Sequence, residues 1–586
     1  MISDARSNRP AGSPFALHRR RADPRDSTVE AFGFGRKRSE IERLILRRDA
    51  TPTTAEGFSP TAGDGGLMPT DHPNVLLLLS DEHSARFQGR VGGHGEPART
   101  PTIDDLAATG TDFEEAYCRV PLCGPSRDCL LTSRDQRTCG SWINEDVLDP
   151  SLPTLPGTFS ATGYETCLVG KMHFAGEYQF YGFDHRPYGD LTGGTGHQWE
   201  PLDPDERASL WENAGITGVP ESQLQEHRVV RESLAWLREH EARSDAPWLL
   251  CASFSRPHFP LTAPRRYVDR FWDLPRGEPT DRFTDPPVGV EADTVDHPMV
   301  RAVRERAGGE DVDERTRRFA RACYFACVAF LDDVLGEFLA LAERDGLLDD
   351  TIVVYTSDHG ELAGEHGLWG KKTWHEASTR VPLVVATPDQ RRGVNDAHRI
   401  ETPVSLADLF PTLCGLCGVE TPAGLDGTDL AGAVESGSEP DRGPVVCDYL
   451  FPEWGEGHEY RMVREGRYKY VGFRDAPELL FDLAADPFER RNLADEEQTL
   501  DADGNAALER LREFVAATVD FEAAAEECRE REISVPEEHR LDGPLGSGNC
   551  YRLPDGRIVD ADTPLYDPTV LVEHPKDTFA DWPDAR

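Results

Sequence analysis

"NVLLLLSDEH", residues 74–83, places five apolar residues in one unbroken run, Val75 to Leu79, and ends on Asp81, Glu82 and His83. A strand with one wet face alternates apolar and polar residues. An unbroken run is dry on both faces, as in a parallel sheet covered by helices. "APWLLCASF" (246–254) and "DTIVVYTSDHGE" (350–361) repeat the pattern. Between them lie a predicted helix at "TPTIDDLAATG" (100–110), capped at its start and closed by Gly110, and a long amphipathic helix over 311–345. Strand, helix and strand in alternation predict an α/β fold with a mostly parallel sheet flanked by helices. In such sheets the site lies beyond the carboxyl ends of the strands. Asp81 and Glu82 end one strand, and Asp358 and His359 end another. Carboxylates with one imidazole suit a hard divalent cation, Ca²⁺ or else Mg²⁺ or Mn²⁺.

Composition excludes several classes of function. The 586 residues include 106 acidic and 63 basic side chains, for a net charge of −43 at pH 7. Six of the basic residues are lysine: Lys37, Lys171, Lys371, Lys372, Lys469 and Lys576. An acidic, lysine-poor chain reads as halophilic, its self-repulsion screened by concentrated salt. It does not fit nucleic acid or an anionic membrane as partner. No apolar run approaches the roughly 18 residues of a membrane span. Thirteen cysteines, an odd number without tight spacing, are not a disulfide framework. Cys414 and Cys417 in "LADLFPTLCGLCGV" share the apolar stripe of a short helix and read as core residues, not a metal pair.

"LCGPSRDCLLTSR", residues 122–134, is a second signal. Pro125 suits a helix start, and a helix N-terminus favours negative charge, so Cys123 sits where a thiolate or a bound anion is stabilised.

Together these motifs resemble the type I sulfatases of the alkaline phosphatase superfamily. The resemblance rests on Cys123-Gly-Pro-Ser-Arg127, Asp81 after its strand, Gly170-Lys171-Met172-His173, Arg256-Pro257-His258 and Asp358-His359-Gly360. "GEHGLWGKKTWHEASTRVPLVV" (364–385), "YRMVREGRYKYV" (460–471) and "ELLFDLAADPFERRNL" (478–493) extend it over roughly residues 72–500. It is similar above all to choline-sulfatase-like and iduronate-sulfatase-like members. The resemblance implies that a maturation enzyme oxidises Cys123 to formylglycine (3-oxoalanine). One hydroxyl of its hydrate would attack the sulfur of a sulfate monoester, from a small molecule or a saccharide. Loss of a proton from the other would then release sulfate, so one hard step becomes two. By the same resemblance Arg127 holds the hydrate, Lys171 neutralises charge beside it and His173 assists the collapse. His258 and Lys371 bind sulfate and help the leaving oxygen depart. Asp81, Glu82, Cys123, Asp358 and His359 hold the metal. Three of the six lysines fall in "GKMH" and "WGKK", where a sulfate anion must be neutralised.

Two positions depart from the family pattern: Gly124, where the maturation motif has Ser, Thr, Ala or Val, and Glu82, where many members have Asp or Gln. A phosphodiesterase or phosphonate monoester hydrolase of the same superfamily is the alternative function, and a non-catalytic anion-binding relative is the third. Lys372 and His375 read equally as a solvated helix start or as substrate contacts.

Residues 1–71 read as a disordered extension, 72–440 as the catalytic domain, 441–540 as a smaller C-terminal α+β subdomain, and 541–586 as an arm packed on the body or on a second subunit of a homo-oligomer. "RMVREGRYKYVGF" predicts a hairpin turning at Glu465-Gly466, with a helix near 505–520. The first 67 residues carry a charge of +3. Their "RRRADPR" has no apolar segment after it, which predicts a cytoplasmic protein. The charge generates a test: the unfolding midpoint should rise steadily from dilute buffer to molar salt. A midpoint independent of salt would rule out the halophilic reading.

Overall fold

The computed structural model describes residues 72–89, 100–175, 179–191, 214–288, 295–307, 313–495, 500–534, 550–552 and 558–560. The expected N-terminal extension and most of the expected C-terminal arm lie outside these residues.

Seven strands form the central sheet: β1 (Asn74–Asp81), β2 (Thr111–Phe113), β3 (Glu165–Gly170), β4 (Trp248–Pro257), β5 (Thr351–Ser357), β6 (Leu383–Ala386) and β7 (His398–Ile400). Their spatial order is β7-β2-β6-β5-β1-β4-β3. β1 lies between β5 and β4, parallel to both, and β3 is parallel to β4. Only β6 runs against its neighbours, so the sheet is mostly parallel, as the apolar runs predict. Alternation then divides each run between two cores. Val75, Leu77 and Leu79 face one cluster with Ile352 and Val354. Leu76 and Leu78 face the other with Val353 and Tyr355.

Helix α1 (Pro101–Thr109) and the long α4 (Glu314–Arg344) cover the second face. Residues 320–331 of α4 are buried without interruption. The middle of this helix is therefore enclosed rather than amphipathic, and only its ends meet solvent. The expected cap of α1 also comes from elsewhere: the Thr100 hydroxyl makes no capping bond. Asp332 of α4 does so instead, accepting from Thr102 N and Ile103 N at 3.0 Å each. Between them, α2 (Cys123–Thr132) carries the cysteine motif, and α3 (Gln225–Arg243) packs beside β3 and β4.

A four-stranded antiparallel sheet follows: β8 (Val445–Tyr449), β9 (Tyr460–Glu465), β10 (Tyr468–Phe473) and β11 (Leu479–Asp482). Cys447, Tyr449, Tyr460, Met462, Val471 and Phe473 join the main core. Val446, Val463, Tyr470 and Leu480 face α5 (Ala502–Thr518) through Leu511 and Val515. The hairpin turns at Gly466-Arg467, one residue later than expected, because Glu465 still pairs with Tyr468. Cys414 and Cys417 are buried core residues, as expected. Among the described residues no helix is long and apolar enough to cross a membrane.

Burial pushes the Asp332 carboxyl up to about 7, against the pull of the two amides it caps. Its folded pKa exceeds the unfolded value of about 3.9. The folded state therefore binds more protons between those limits, and this group's contribution to stability should fall as pH rises from about 4 to about 7. Asp332→Asn should flatten that slope in denaturant titrations, whereas Asp332→Ala should cost about 1–3 kcal/mol through two uncapped amides. An unchanged slope in Asp332→Asn would refute this role.

Candidate active site

The adjacent ends of β1 and β5 set Asp81 beside Asp358, and both are fully buried. Two carboxylates this close repel unless cations lie between them. Arg127, one turn into α2, supplies the charge: its Nε donates to Asp358 Oδ2 at 2.8 Å and its Nη2 to Asp81 Oδ2 at 3.0 Å. Its Nη1 is taken by Ser253 Oγ and the Lys171 carbonyl. Arg127 thus grips both carboxylates. Lys171 Nζ lies 2.7 Å from Asp81 Oδ2. Burial alone would raise the Asp81 carboxyl, but Lys171, His258 and Arg127 hold it well below the usual carboxylate range.

Both Oδ1 atoms remain on the opposite side. His359 Nε2 lies 3.9 Å from Asp81 Oδ1 and 3.7 Å from Asp358 Oδ1. Its Nδ1 is 2.9 Å from the Gly360 carbonyl, which fixes Nε2 toward the centre. Cys123 Sγ is 3.2 Å from His359 Nε2 and 3.7 Å from Asp81 Oδ1. One ligand atom from each of Asp81, Cys123, Asp358 and His359 falls within 4.8 Å of the others. Two carboxylate oxygens and an imidazole nitrogen fit a hard divalent cation, with residue 123 as the fourth donor.

Glu82 goes elsewhere. It has φ 69°, and Tyr324 of α4 donates its hydroxyl to the Glu82 carbonyl at 2.7 Å. The turn aims its Oε2 at Lys371 Nζ, 3.0 Å away, and at His258 Nε2, 3.4 Å away. Glu82 therefore groups with Asp81 and His258, apart from the quartet. Burial, aided by Glu361, raises its carboxyl well above the ordinary value despite Lys371.

Cys123 is the first residue of α2 and 1% exposed. Lys371 Nζ reaches its sulfur at 3.2 Å. Burial opposes ionisation, yet Lys371, His359, Lys171 and His173 together hold the thiol well below its ordinary value. His258 follows the end of β4, with its amide donating to the Asp81 carbonyl. Burial, with Lys171 and Lys371 nearby, pushes its imidazole down to about 3. His173 is also buried, with its ring close enough to Cys123 to help hold the thiol down. Asp81, Cys123, Arg127, Lys171, His258, Asp358, His359 and Lys371 thus lie together. A side chain at residue 124 would press on Asn144, whose Oδ1 and Cα lie 3.2 and 3.3 Å from a Cβ built there, so the departure to Gly124 has a local cause.

Two candidates fall outside the centre. His375 is buried, stacked on Trp374 and 4.2 Å from the His366 ring. Lys372 bonds Glu453 at 2.7 Å. Neither is a solvated helix start. The sequence reading missed Ser253, which accepts from Arg127, and Ser126, whose hydroxyl donates to the Asp358 carbonyl at 2.5 Å. Ser253 ends the apolar run "WLLCAS" as Asp81 ends its own, and that position was the available signal.

A family model described as Sulfatase matches residues 73–419, and one described as N-sulphoglucosamine sulphohydrolase, C-terminal, matches 364–514. Choline-sulfatase of Rhizobium meliloti (strain 1021) is 32% identical over 483 residues, covering 79% of this chain and 90% of its own. Arylsulfatase K of Bos taurus is 28% identical, covering 72% and 78%. The crystal structure of the phosphonate monoester hydrolase of Agrobacterium radiobacter superposes with a TM-score of 0.63 at 26% identity, over 83% of this chain and 99% of its own.

The geometry puts Glu82 in a second group, with Asp81 and His258, and not in the quartet around residue 123. Glu82→Gln should keep the metal content of the unaltered protein, about one equivalent per chain, whereas Asp358→Ala should lose it. Elemental analysis after gel filtration reads both. Loss of metal from Glu82→Gln would return Glu82 to the ligand set.

Proposed function

The chain belongs to the sulfatase family and hydrolyses sulfate esters, and from that premise we propose that Cys123 works as formylglycine beside a divalent cation held by Asp81, Asp358 and His359. The observation that carries this reading is the donor set around residue 123. Three of its four members are hard oxygen or nitrogen donors, and the fourth is sulfur. An oxygen at residue 123 would make the set uniformly suited to Ca²⁺, Mg²⁺ or Mn²⁺. The modified residue would supply the nucleophile, and the cation would lower the cost of its negative charge.

The chain's own side chains do the rest. Lys171 and Lys371, both nearly buried, neutralise the sulfate oxygens in a site that excludes water. Arg127 bonds Asp81 and Asp358 through their Oδ2 atoms and favours the ionised form of each. His258 Nε2 is held near Glu82 Oε2, where a proton on that raised carboxyl can pass by way of the ring to the departing oxygen of the ester. The ring of His173, beside residue 123, is the base for the hydroxyl left there. Residues 72–440 would form the catalytic unit, and 441–540 a subdomain that backs the Lys371 loop. Maturation requires a formylglycine-generating enzyme.

A phosphonate monoester hydrolase activity is the second reading, favoured by the match to the Agrobacterium radiobacter enzyme. Rates on an aryl sulfate, a phosphate diester and a phosphonate monoester from one preparation decide between them, with the sulfate expected to be fastest. Exhaustive chelation should abolish that activity, and added Ca²⁺ or Mg²⁺ should restore it. The peptide containing residue 123, taken from its natural host, should be about 18 Da lighter than its cysteine form. Cys123→Ala should remove turnover while leaving the fold intact. Cys123→Ser should give a slow burst of one product per enzyme. A free thiol at residue 123 in fully active protein would overturn the proposal.

A further inference from the structure

His173 has φ 63°, a left-handed conformation that side-chain-bearing residues adopt only when their surroundings hold them there. β3 ends at Gly170, with φ 97°, and a Cβ there would fall 2.0 Å from the Ser253 carbonyl oxygen. Only glycine fits, and the chain turns sharply from the sheet into Lys171, Met172 and His173. Two successive amides of that turn converge on one carboxylate. Asp190 Oδ1 accepts from Met172 N at 3.0 Å, and Oδ2 from His173 N at 3.2 Å.

Asp190 is itself anchored. Arg186 Nη2 donates to its Oδ1 at 2.7 Å, and both side chains are wholly buried. Arg186 Nη1 donates to the carbonyl and side-chain oxygens of Gln179. Gln225, at the start of α3, donates to the carbonyls of Asp190 and Ser253 at 3.2 Å each, tying the segment to β4. The clamp belongs to "FYGFDHRPYGDL" (180–191).

We propose that Asp190, fixed by Arg186, is a positioning residue for the reaction: it holds the His173 backbone in the left-handed turn that aims the imidazole at residue 123. A buried charge-assisted pair is a stiff support, because moving Asp190 would take the carboxylate away from Arg186 Nη2 and from two amides in a dry interior. Small displacements of a catalytic base are costly: about 1 Å can reduce a rate a hundredfold. The inference rests on His173 acting as a base in the proposed reaction.

The test is a double-mutant cycle on the metal-loaded enzyme with residue 123 matured, as verified by mass spectrometry for each variant. His173→Ala should lower kcat about 10²–10⁴-fold. Asp190→Asn, nearly isosteric, should lower kcat about 10–100-fold with KM within about threefold, and should change the pH dependence of kcat. Combining them should be no worse than His173→Ala alone, because Asp190 acts only through that ring. Asp190→Glu should recover part of the lost rate. Multiplicative losses in the double variant, with kcat and KM changing together, would overturn the proposal in favour of ordinary loop stability. Full kcat in Asp190→Asn would overturn it as well. Full kcat in His173→Ala would overturn both the inference and the assigned role of His173, while leaving the sulfatase chemistry of residue 123 standing.

Discussion

Two like charges buried side by side are the constraint on which this site is built. Asp81 and Asp358 end neighbouring parallel strands, so the sheet itself forces their carboxylates together. Without compensation one of them would take up a proton and be lost as a hard ligand. Arg127 opposes this with one planar guanidinium that bonds an oxygen of each, and Lys171 adds a second charge on Asp81, so Asp81 is held low while burial and Asp81 itself still raise Asp358. Lysine could not replace that arginine, since a point charge cannot span two carboxylates in fixed geometry. The clamp also requires α2 to approach the strand ends closely, which in turn brings Cys123 to the centre.

The same logic extends to the second half of the site. Lys371 and His258 share Glu82: Lys371 brings the charge, while burial and the two lysines keep the His258 ring neutral beside it. The loop carrying Lys371 is backed by the C-terminal sheet. Lys469, on β10 and wholly buried, pairs with Glu376 at 2.9 Å and Glu489 at 2.7 Å. Glu489 also accepts from the Glu376 amide, at the start of the helical turn that follows Lys371. Breaking a buried pair of this kind strands an uncompensated charge, which is far more costly than losing a surface bridge. The lysines of this lysine-poor chain that the structure describes are therefore placed with purpose. Lys171 and Lys371 face the reacting centre, Lys372 joins it to Glu453, and Lys469 holds the loop from behind.

Much of this was legible in the chain. Unbroken apolar runs imply strands buried on both faces, and their polar ends imply a site at the carboxyl edge; β1, β4 and β5 follow that rule. Local motifs carried the identities of Asp81, Cys123, Arg127, Lys171, His173, His258, Asp358, His359 and Lys371. Where the reading failed, a distant partner made the decision. Thr100 had the right chemistry for a cap, but Asp332, on a helix more than 200 residues later, supplied it. For His375 and Lys372 a solvated helix start and a substrate contact stood equal, because spacing alone does not show that Trp374 and His366 stack on the first and that Glu453, 81 residues away, pairs with the second.

The sequence by itself determined the strand and helix order, the parallel sheet and the cast of reactive side chains, because periodicity and short-range spacing are properties of the chain alone. Only the tertiary structure decided how those side chains pair. Arg127 meets carboxylates 46 and 231 residues away, and Glu82 meets a lysine 289 residues away. Such contacts depend on which strand ends become neighbours and which way a left-handed turn points the next residue. Neither is written in local sequence, and both follow from burying charges that must find partners once water has gone.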